Sequence, residues 1–472
     1  MKPMKNFFLN LADKTGLSKA NQYAKNLRKV RKLMKLDKKE LEQFQLNRLK
    51  EIVHYSYENV ALYRRKWNAA GVSPDDIQSL KDIKKLPITT KDDFRHNYPS
   101  DILSKTYKAK DCYLVGTSGS TGSPVNLFVD EDKLLLEFAT SLPKIMADMP
   151  EISITKAVKD FIYRRNIANL FIVADDLNAM GSAHGRMFWA MKHTIVSAYK
   201  SPEFHIEEIN KRKPKYIFTY PSVIRNLLII AKEKRIKIHQ PTLIMLCGEN
   251  LDTPLRDSIK TTFGSELLDF YASTELGHIA SECLEHQGMH LFPWKVITEI
   301  LNNKGDEAPA GTPGRVIVTD LFSKATPIIR YSGLNDYAVR KKELCSCGRS
   351  SPLLERIEGR IVDSILLPDK KIIHPFKVTT ALEDIPHISK FQIRQERMDY
   401  IKILIVKDSI EKAKNVSFDP DSTIGKKIIR RFNRILNNQV KIDIETVEDI
   451  PKVPGSHKYA TVLSLVKGER PL

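Results

Sequence analysis

The chain has no run of about 18 apolar residues, so nothing in it reads as a membrane span. Its start is basic, but no continuous apolar stretch ending at a small-residue site follows, which argues against a secretory leader. Cysteine is scarce, 5 in 472 residues, and cannot supply a disulfide framework. No basic run is interleaved with aromatics as a base-stacking platform requires, so no nucleic-acid partner is expected. Repeats of solenoid period are also missing. A cytoplasmic, globular protein is the expectation.

Positive charge is what the chain has in excess. Lys plus Arg is 76 against 57 for Asp plus Glu, a net +19. Such a balance suits anionic lipid or a polyanionic cofactor, and equally a plain solvated basic surface. With 42% hydrophobic and 28% charged residues the chain can bury a large core. Its length suggests two to four domains.

Residues 1–55 read as a basic helical extension. Lys25, Arg28, Lys29, Arg31, Lys32 and Lys35 sit among Leu27, Val30, Leu33, Met34 and Leu36. One reading is a helix for a membrane surface or a partner; the other is an amphipathic helix packed on the body. From 111 to 340, β-rich runs such as Tyr216–Tyr220, Leu243–Leu246 and Arg315–Thr319 alternate with helical stretches, which predicts an α/β architecture. After about 361 a smaller unit is expected. Its strands are Ile401–Val406, Val440–Ile444 and Ala460–Val466, with a helix over Ile424–Leu436. The predicted boundary falls at Gly359-Arg360.

Thr117-Ser118-Gly119-Ser120-Thr121-Gly122-Ser123-Pro124 follows the strand-like Tyr113–Val115 and precedes the apolar-rich Val125–Val129. Gly119 and Gly122 let backbone N–H groups close on an anion, and the hydroxyls add donors, which suits phosphate oxygens. No Gly-Lys-Ser/Thr ends the run, so it is not a Walker loop. The run resembles the phosphate loop of the adenylate-forming superfamily of acyl- and aryl-CoA ligases. Further segments resemble that family's motifs in the same order. Leu246-Cys247-Gly248-Glu249-Asn250 is similar to its turn beside the adenine. Tyr271-Ala272-Ser273-Thr274-Glu275 is similar to its Tyr-Gly-x-Thr-Glu, with Ala272 in place of Gly. The resemblance implies that Tyr271 packs near adenine, Thr274 contacts the α-phosphate and Glu275 helps to hold magnesium. Arg330 to Asp336 resembles the motif whose Asp binds the ribose, although one residue longer, with Asn335 as the neighbouring candidate. Ile357-Glu358-Gly359-Arg360 resembles the hinge motif; Val362 stands at the usual acidic position and Asp363 follows it. Gly455-Ser456-His457-Lys458 resembles the segment of the catalytic lysine, which would reach the α-phosphate and the carboxylate as a mobile point charge.

What the resemblance implies is an α/β fold. A large N-terminal AMP-binding domain of mixed sheets and helices (1–359) precedes a small C-terminal α+β lid (360–472). It also implies ATP and Mg2+ as cofactors, with the acid activated as acyl-adenylate by Lys458, Thr274 and Glu275. Coenzyme A is the leading acceptor, and amine or sugar acceptors remain. Adenylylation of a phenolic deazaflavin and a non-catalytic nucleotide-binding scaffold are the other readings. Homodimer formation is left open. Substrate-pocket residues are expected within 161–197 and 220–226 and at Phe270. There Arg164, Arg165, His184 and Trp189 hint at a polar acid, while core packing or surface display explains them equally.

Tyr220-Pro221-Ser222, Arg315–Asp320, Pro327–Tyr331 and Cys345-Ser346-Cys347-Gly348-Arg349 resemble the phenylacetate-CoA ligase and CapK-like branch. Cys283, with His286 and His290 near it, joins Cys345 and Cys347 in two short clusters. Three thiols and one imidazole match the ligand set of a closed structural Zn2+ site, against the alternative of buried free thiols. The branch implies zinc at the matching positions. Gly288-Met289-His290 resembles its Gly-Leu-His, which favours His290 over His286.

Overall fold

The computed structural model describes residues 17–116, 125–137, 140, 169–173, 193–360, 363–383, 385–407, 416–451 and 460–466. Among the described residues four helices come first: α1 (Leu17–Leu33), α2 (Lys38–Asn59), α3 (Ala61–Ala69) and α4 (Lys91–Asn97). On α1, Leu27, Val30 and Leu33 recur at helical spacing and bury against Leu136, Phe292 and Trp294. Three such side chains contribute on the order of 5–9 kcal/mol as an upper bound, so packing on the body claims the apolar stripe. Lys25, Arg28, Arg31 and Lys32 face outward. A capping box starts α2, in which Glu40 N donates to Asp37 Oδ1 at 2.9 Å and Asp37 N to Glu40 Oε2 at 3.0 Å.

Strands β1 (Tyr113–Gly116) and β2 (Asn126–Val129) pair antiparallel, with Gly116 opposite Asn126. Next come β3 (Asn169–Val173), β4 (His193–Ser197), α5 (Pro202–Arg212), β5 (Tyr216–Thr219), α6 (Pro221–Glu233), β6 (Leu243–Cys247), α7 (Thr253–Phe263) and β7 (Glu266–Ser273). After them run β8 (Gly277–Ser281), β9 (Met289–Leu291), β10 (Val296–Leu301), β11 (Pro313–Asp320), β12 (Asp336–Arg340) and β13 (Leu353–Arg360). Among the described residues β3 to β13 form one sheet in the order β10-β11-β12-β13-β9-β8-β7-β6-β5-β3-β4.

Pairing is parallel from β4 across to β7 and antiparallel from β7 onward. All five residues of β6 are buried, as a parallel strand covered on both faces requires. Each half of the sheet has its own apolar core, one around Ile244, Leu268 and Phe263, the other around Trp67, Tyr331 and Val318.

The C-terminal part of the chain holds β14 (Ile365–Leu366), β15 (Ile372–Ile373), α8 (Pro375–Glu383), β16 (Ile388–Arg397), β17 (Tyr400–Lys407), α9 (Thr423–Ile435), β18 (Lys441–Thr446) and β19 (Val462–Ser464). Its main sheet runs β18-β17-β16-β19. On β17 the buried Ile401, Ile403 and Ile405 alternate with less buried neighbours, the period of a half-covered strand. They meet Ile428 and Phe432 of α9 in a third core. The strand expected over 460–466 is shorter, and the described helix lies one residue upstream of its expected bounds.

Candidate active site

In open α/β sheets a ligand crevice forms outside the C-terminal ends of the strands, where the topology changes. Here that place is the end of β7. The connection from β7 to β8 is a tight turn over 274–276, and Gly277 (φ +66°) adopts the left-handed conformation that lets the chain reverse. Thr274 and Glu275 sit on this turn, with Glu275 buried and Thr274 half-buried. Ser273 Oγ accepts from Leu276 N at 3.1 Å and closes it.

Three other segments converge on the turn. Tyr271 Oη donates to Asp336 Oδ2 at 2.7 Å, and Tyr331 Oη donates to Glu275 Oε1 at 3.2 Å. Arg360 of β13 stands in register opposite Asp336 of β12 and lies 3.7 Å from Asp363. Desolvation pushes the Asp336 carboxyl up to about 6, against the Tyr271 hydroxyl and the Arg360 guanidinium, which both lower it. The candidates Tyr271, Ala272, Ser273, Thr274, Glu275, Asp336 and Arg360 therefore occupy one neighbourhood. Asn335, the alternative to Asp336, has φ +57° at the entry to β12.

Gly248 (φ +74°) turns the chain after β6, and Glu249 and Asn250 follow it. Glu249 accepts from Ser222 N at 2.7 Å and Ser222 Oγ at 2.9 Å, so its carboxylate sits at the N-terminus of α6, where the helix dipole favours it. Glu249, Arg225 and Asn250 line one wall of an open cleft; Leu382, Phe391 and Thr461 of the C-terminal part line the other.

Sequence reasoning missed Lys91. This residue of α4 lies within electrostatic reach of Glu275, Asp336 and Arg360; burial is the largest influence on its ammonium and pulls it below the usual lysine range. The segment before α4 is fixed by Arg330, which pairs bidentately with Glu299 at 2.8 and 3.0 Å and donates to the Leu86 carbonyl at 2.6 Å. Thr89 N then donates to the Arg330 carbonyl at 2.9 Å. The Thr90–Asp93 capping box was the only local signal, and it marks a helix start rather than a site.

Thr117, Ser118, Gly119, Ser120, Thr121 and Gly122 lie outside the described residues, as do Lys458, Arg164, Arg165, His184 and Trp189. The loop's two flanks are the paired ends of β1 and β2.

At the far end of β8 from the acidic turn, one ligand atom each from Cys283, His290, Cys345 and Cys347 lies within 4.8 Å of the others. Cys283 Sγ is 3.5 Å from Cys345 Sγ, and Cys347 Sγ is 3.3 Å from His290 Nε2. Tetrahedral zinc at ~2.3 Å from sulfur would set sulfurs roughly 3.8 Å apart. The His290 Nδ1 meets Ser351 Oγ at 2.9 Å, a second contact that orients the ring. His286 is elsewhere, with Nδ1 3.3 Å from Glu282. Cys112 and Cys247 also lie outside the group. The cluster joins the β8–β9 connection to the β12–β13 loop, about 14 Å from the turn at ~3.4 Å per strand residue.

Over 90% of both chains the fold superposes on 2-hydroxyisobutyryl-CoA ligase in the postadenylation state in complex with 2-HIB-AMP, with a TM-score of 0.72 and 19% identity. The chain thus has the fold of the adenylate-forming acyl-CoA ligases. Residues 365–464 match the model of the CapK C-terminal domain. The sequence is 26% identical to the phenylacetate-coenzyme A ligase of Escherichia coli (strain K12) over 88% of this chain and 93% of that protein. It is 26% identical to the same-named enzyme of Aromatoleum evansii over 82% and 86%. Protein CapK of Staphylococcus aureus is 23% identical over 89% of this chain and 88% of that one. The resemblance read from the motifs, to this superfamily and to this branch, is borne out.

Proposed function

We propose that the chain activates a carboxylic acid with ATP and passes the acyl group to coenzyme A. One observation carries this: Tyr271 and Glu275 of one motif meet Asp336 and Arg360 of two remote ones at the end of β7, with Tyr271 bonded to Asp336. The similarity to curated acid-CoA ligases supports the same reading.

A carboxylate oxygen attacks the α-phosphorus, the bond to the bridging oxygen breaks, and pyrophosphate leaves. The CoA thiolate then attacks the acyl carbonyl carbon and AMP leaves. Asp336 accepts from the ribose hydroxyls, and Thr274 and the 117–122 loop donate to phosphate oxygens. Lys458 and Lys91 bring positive charge to the region where negative charge develops. Glu275 would hold magnesium, which would supply charge neutralisation at the phosphate oxygens; its buried carboxyl group suits such a hard cation. The small domain turns about residues 360–363 between the two steps.

Zinc fits the Cys283, His290, Cys345 and Cys347 donors, with no ligand position left for chemistry. A site built on three thiolates would suit a reducing, cytoplasmic setting. The outward basic face of α1 is the surface that would meet an anionic membrane or an acidic partner. An amine or sugar hydroxyl is the alternative acceptor.

The test is pyrophosphate release over a panel of aryl, acyl and amino acids, with and without CoA. Release is expected to need one acid and to vanish in Lys458→Ala. Turnover that needs CoA supports the thioester; turnover with an amine or sugar instead supports the second acceptor. ATP binding without release for any acid would overturn the proposal.

A further inference from the structure

We propose that Glu137 is a positioning residue, which together with Lys295 clamps the turn that presents Glu275. Glu137 lies on a helical segment that begins at Glu131, shortly after β2, and is remote in sequence from the β7–β8 turn. Its Oε2 accepts from His278 N at 3.2 Å, and its Oε1 lies 2.6 Å from Lys133 Nζ and 2.8 Å from Lys295 Nζ. Lys295 Nζ donates to the carbonyls of Leu276 at 2.6 Å and His278 at 2.5 Å. The pair thus holds backbone groups on both sides of Gly277, immediately after Glu275. Gly277 is shaped to this contact, because a Cβ there would lie 2.2 Å from Glu137 Oε2.

The group is largely buried, so these backbone groups need protein partners. Lys295 is fully buried and Lys133 is 4% exposed. Lys133 also pairs with buried Asp320, which accepts from Phe322 N at 2.7 Å and Ser323 N at 3.1 Å. Two ammonium groups thus balance two carboxylates. The His278 imidazole lies 3.8 Å from Glu137, and burial pushes it down to about 4, so it is neutral and leaves the balance at zero. For stability alone, apolar residues of similar volume would serve at least as well as such a group. What they cannot do is fix the backbone N–H and C=O of the turn. Glu275 needs that fixity, since a metal-facing carboxylate works only when its support is held.

This inference rests on the proposed role of Glu275, so its test reads binding and exchange rather than turnover. The full chain is compared with Glu137→Gln and with the double variant Glu137→Gln/Lys295→Met, which removes one charge of each sign. Magnesium-titrated ATP binding is followed by calorimetry, and hydrogen exchange is followed over 274–279. The magnesium concentration for half-maximal ATP binding is expected to rise about tenfold or more. Exchange in the turn is expected to quicken while magnesium-free ATP binding stays near wild type, and the double variant, which leaves no unpaired buried charge, keeps the wild-type melting temperature. Unchanged magnesium dependence and exchange in a folded variant would overturn the clamp. Loss of fold in both variants would also overturn it, in favour of a purely structural network. Absence of acid-dependent pyrophosphate release in the wild type would sink the ligase reading and leave the exchange arm to judge the clamp.

Discussion

Asp336 shows how one residue carries both position and chemistry. Its carboxyl is desolvated and stands at about 6 rather than near the ordinary 3.8. In the unliganded chain, folding therefore favours the protonated form. The cost of the charged form grows as pH rises from about 4 to 6 and is fully present above that. Ribose hydroxyls donate best to the ionised form, which they would pull back down. ATP binding is thus expected to release a proton near pH 5–6 and to weaken about tenfold from pH 7 to pH 5 through this group. Calorimetry in buffers of different ionisation enthalpy measures the release, and Asp336→Asn should remove that component. Equal release from the variant would refute the assignment. Residues of this kind were legible because they stand in ordered motifs. Lys91 was not: in a chain with 76 Lys and Arg, one more cation carries no signal until Arg330 and Glu299 fix its segment against the site.

At the level of elements, the sequence period located strands well where the burial pattern is simple. The all-buried β6 and the alternating β17 both fall at their expected places. The change from parallel to antiparallel pairing at β7 was not legible, since pairing direction depends on partners far along the chain. The cysteine cluster was half legible. Spacing gave the two groups, the Gly-Met-His resemblance favoured His290, and the geometry then set His286 apart. One zinc per chain is expected by elemental analysis, lost in Cys345→Ser and kept in His286→Ala. A structural zinc is worth several kcal/mol, and at about 2–4 °C per kcal/mol its removal should lower Tm by roughly 10 °C. A chelator that leaves Tm unchanged, or a wild-type chain without zinc, would refute the site.

For the whole molecule, the question is how the small domain sits on the large one. The N-terminus of α8 meets the end of β13 at Gly359, which has φ +97° and would place a Cβ 2.9 Å from Pro375 Cγ. Tyr337 and His374 face each other with ring centroids 4.5 Å apart, and Arg356 lies 5.4 Å from the Phe376 ring. Gly359→Ala should loosen this docking. Gly264→Ala serves as control, because Gly264 has φ +60° with nothing within 4 Å of a Cβ. Backbone strain of ~1–2 kcal/mol is common to both. Limited proteolysis should cut within 360–364 several-fold faster in Gly359→Ala alone; equal cutting in the two variants would show that the contact with Pro375 holds nothing.

The docking of α1 also has a consequence in time. The residues that cover its apolar stripe include Phe292 and Trp294, roughly 260 positions downstream. At about 5–20 residues per second, the ribosome takes roughly 10–50 s to deliver them. For that interval the newborn helix shows Leu27, Val30 and Leu33 bare beside a row of lysines and arginines, and whatever shields nascent chains must shield it first.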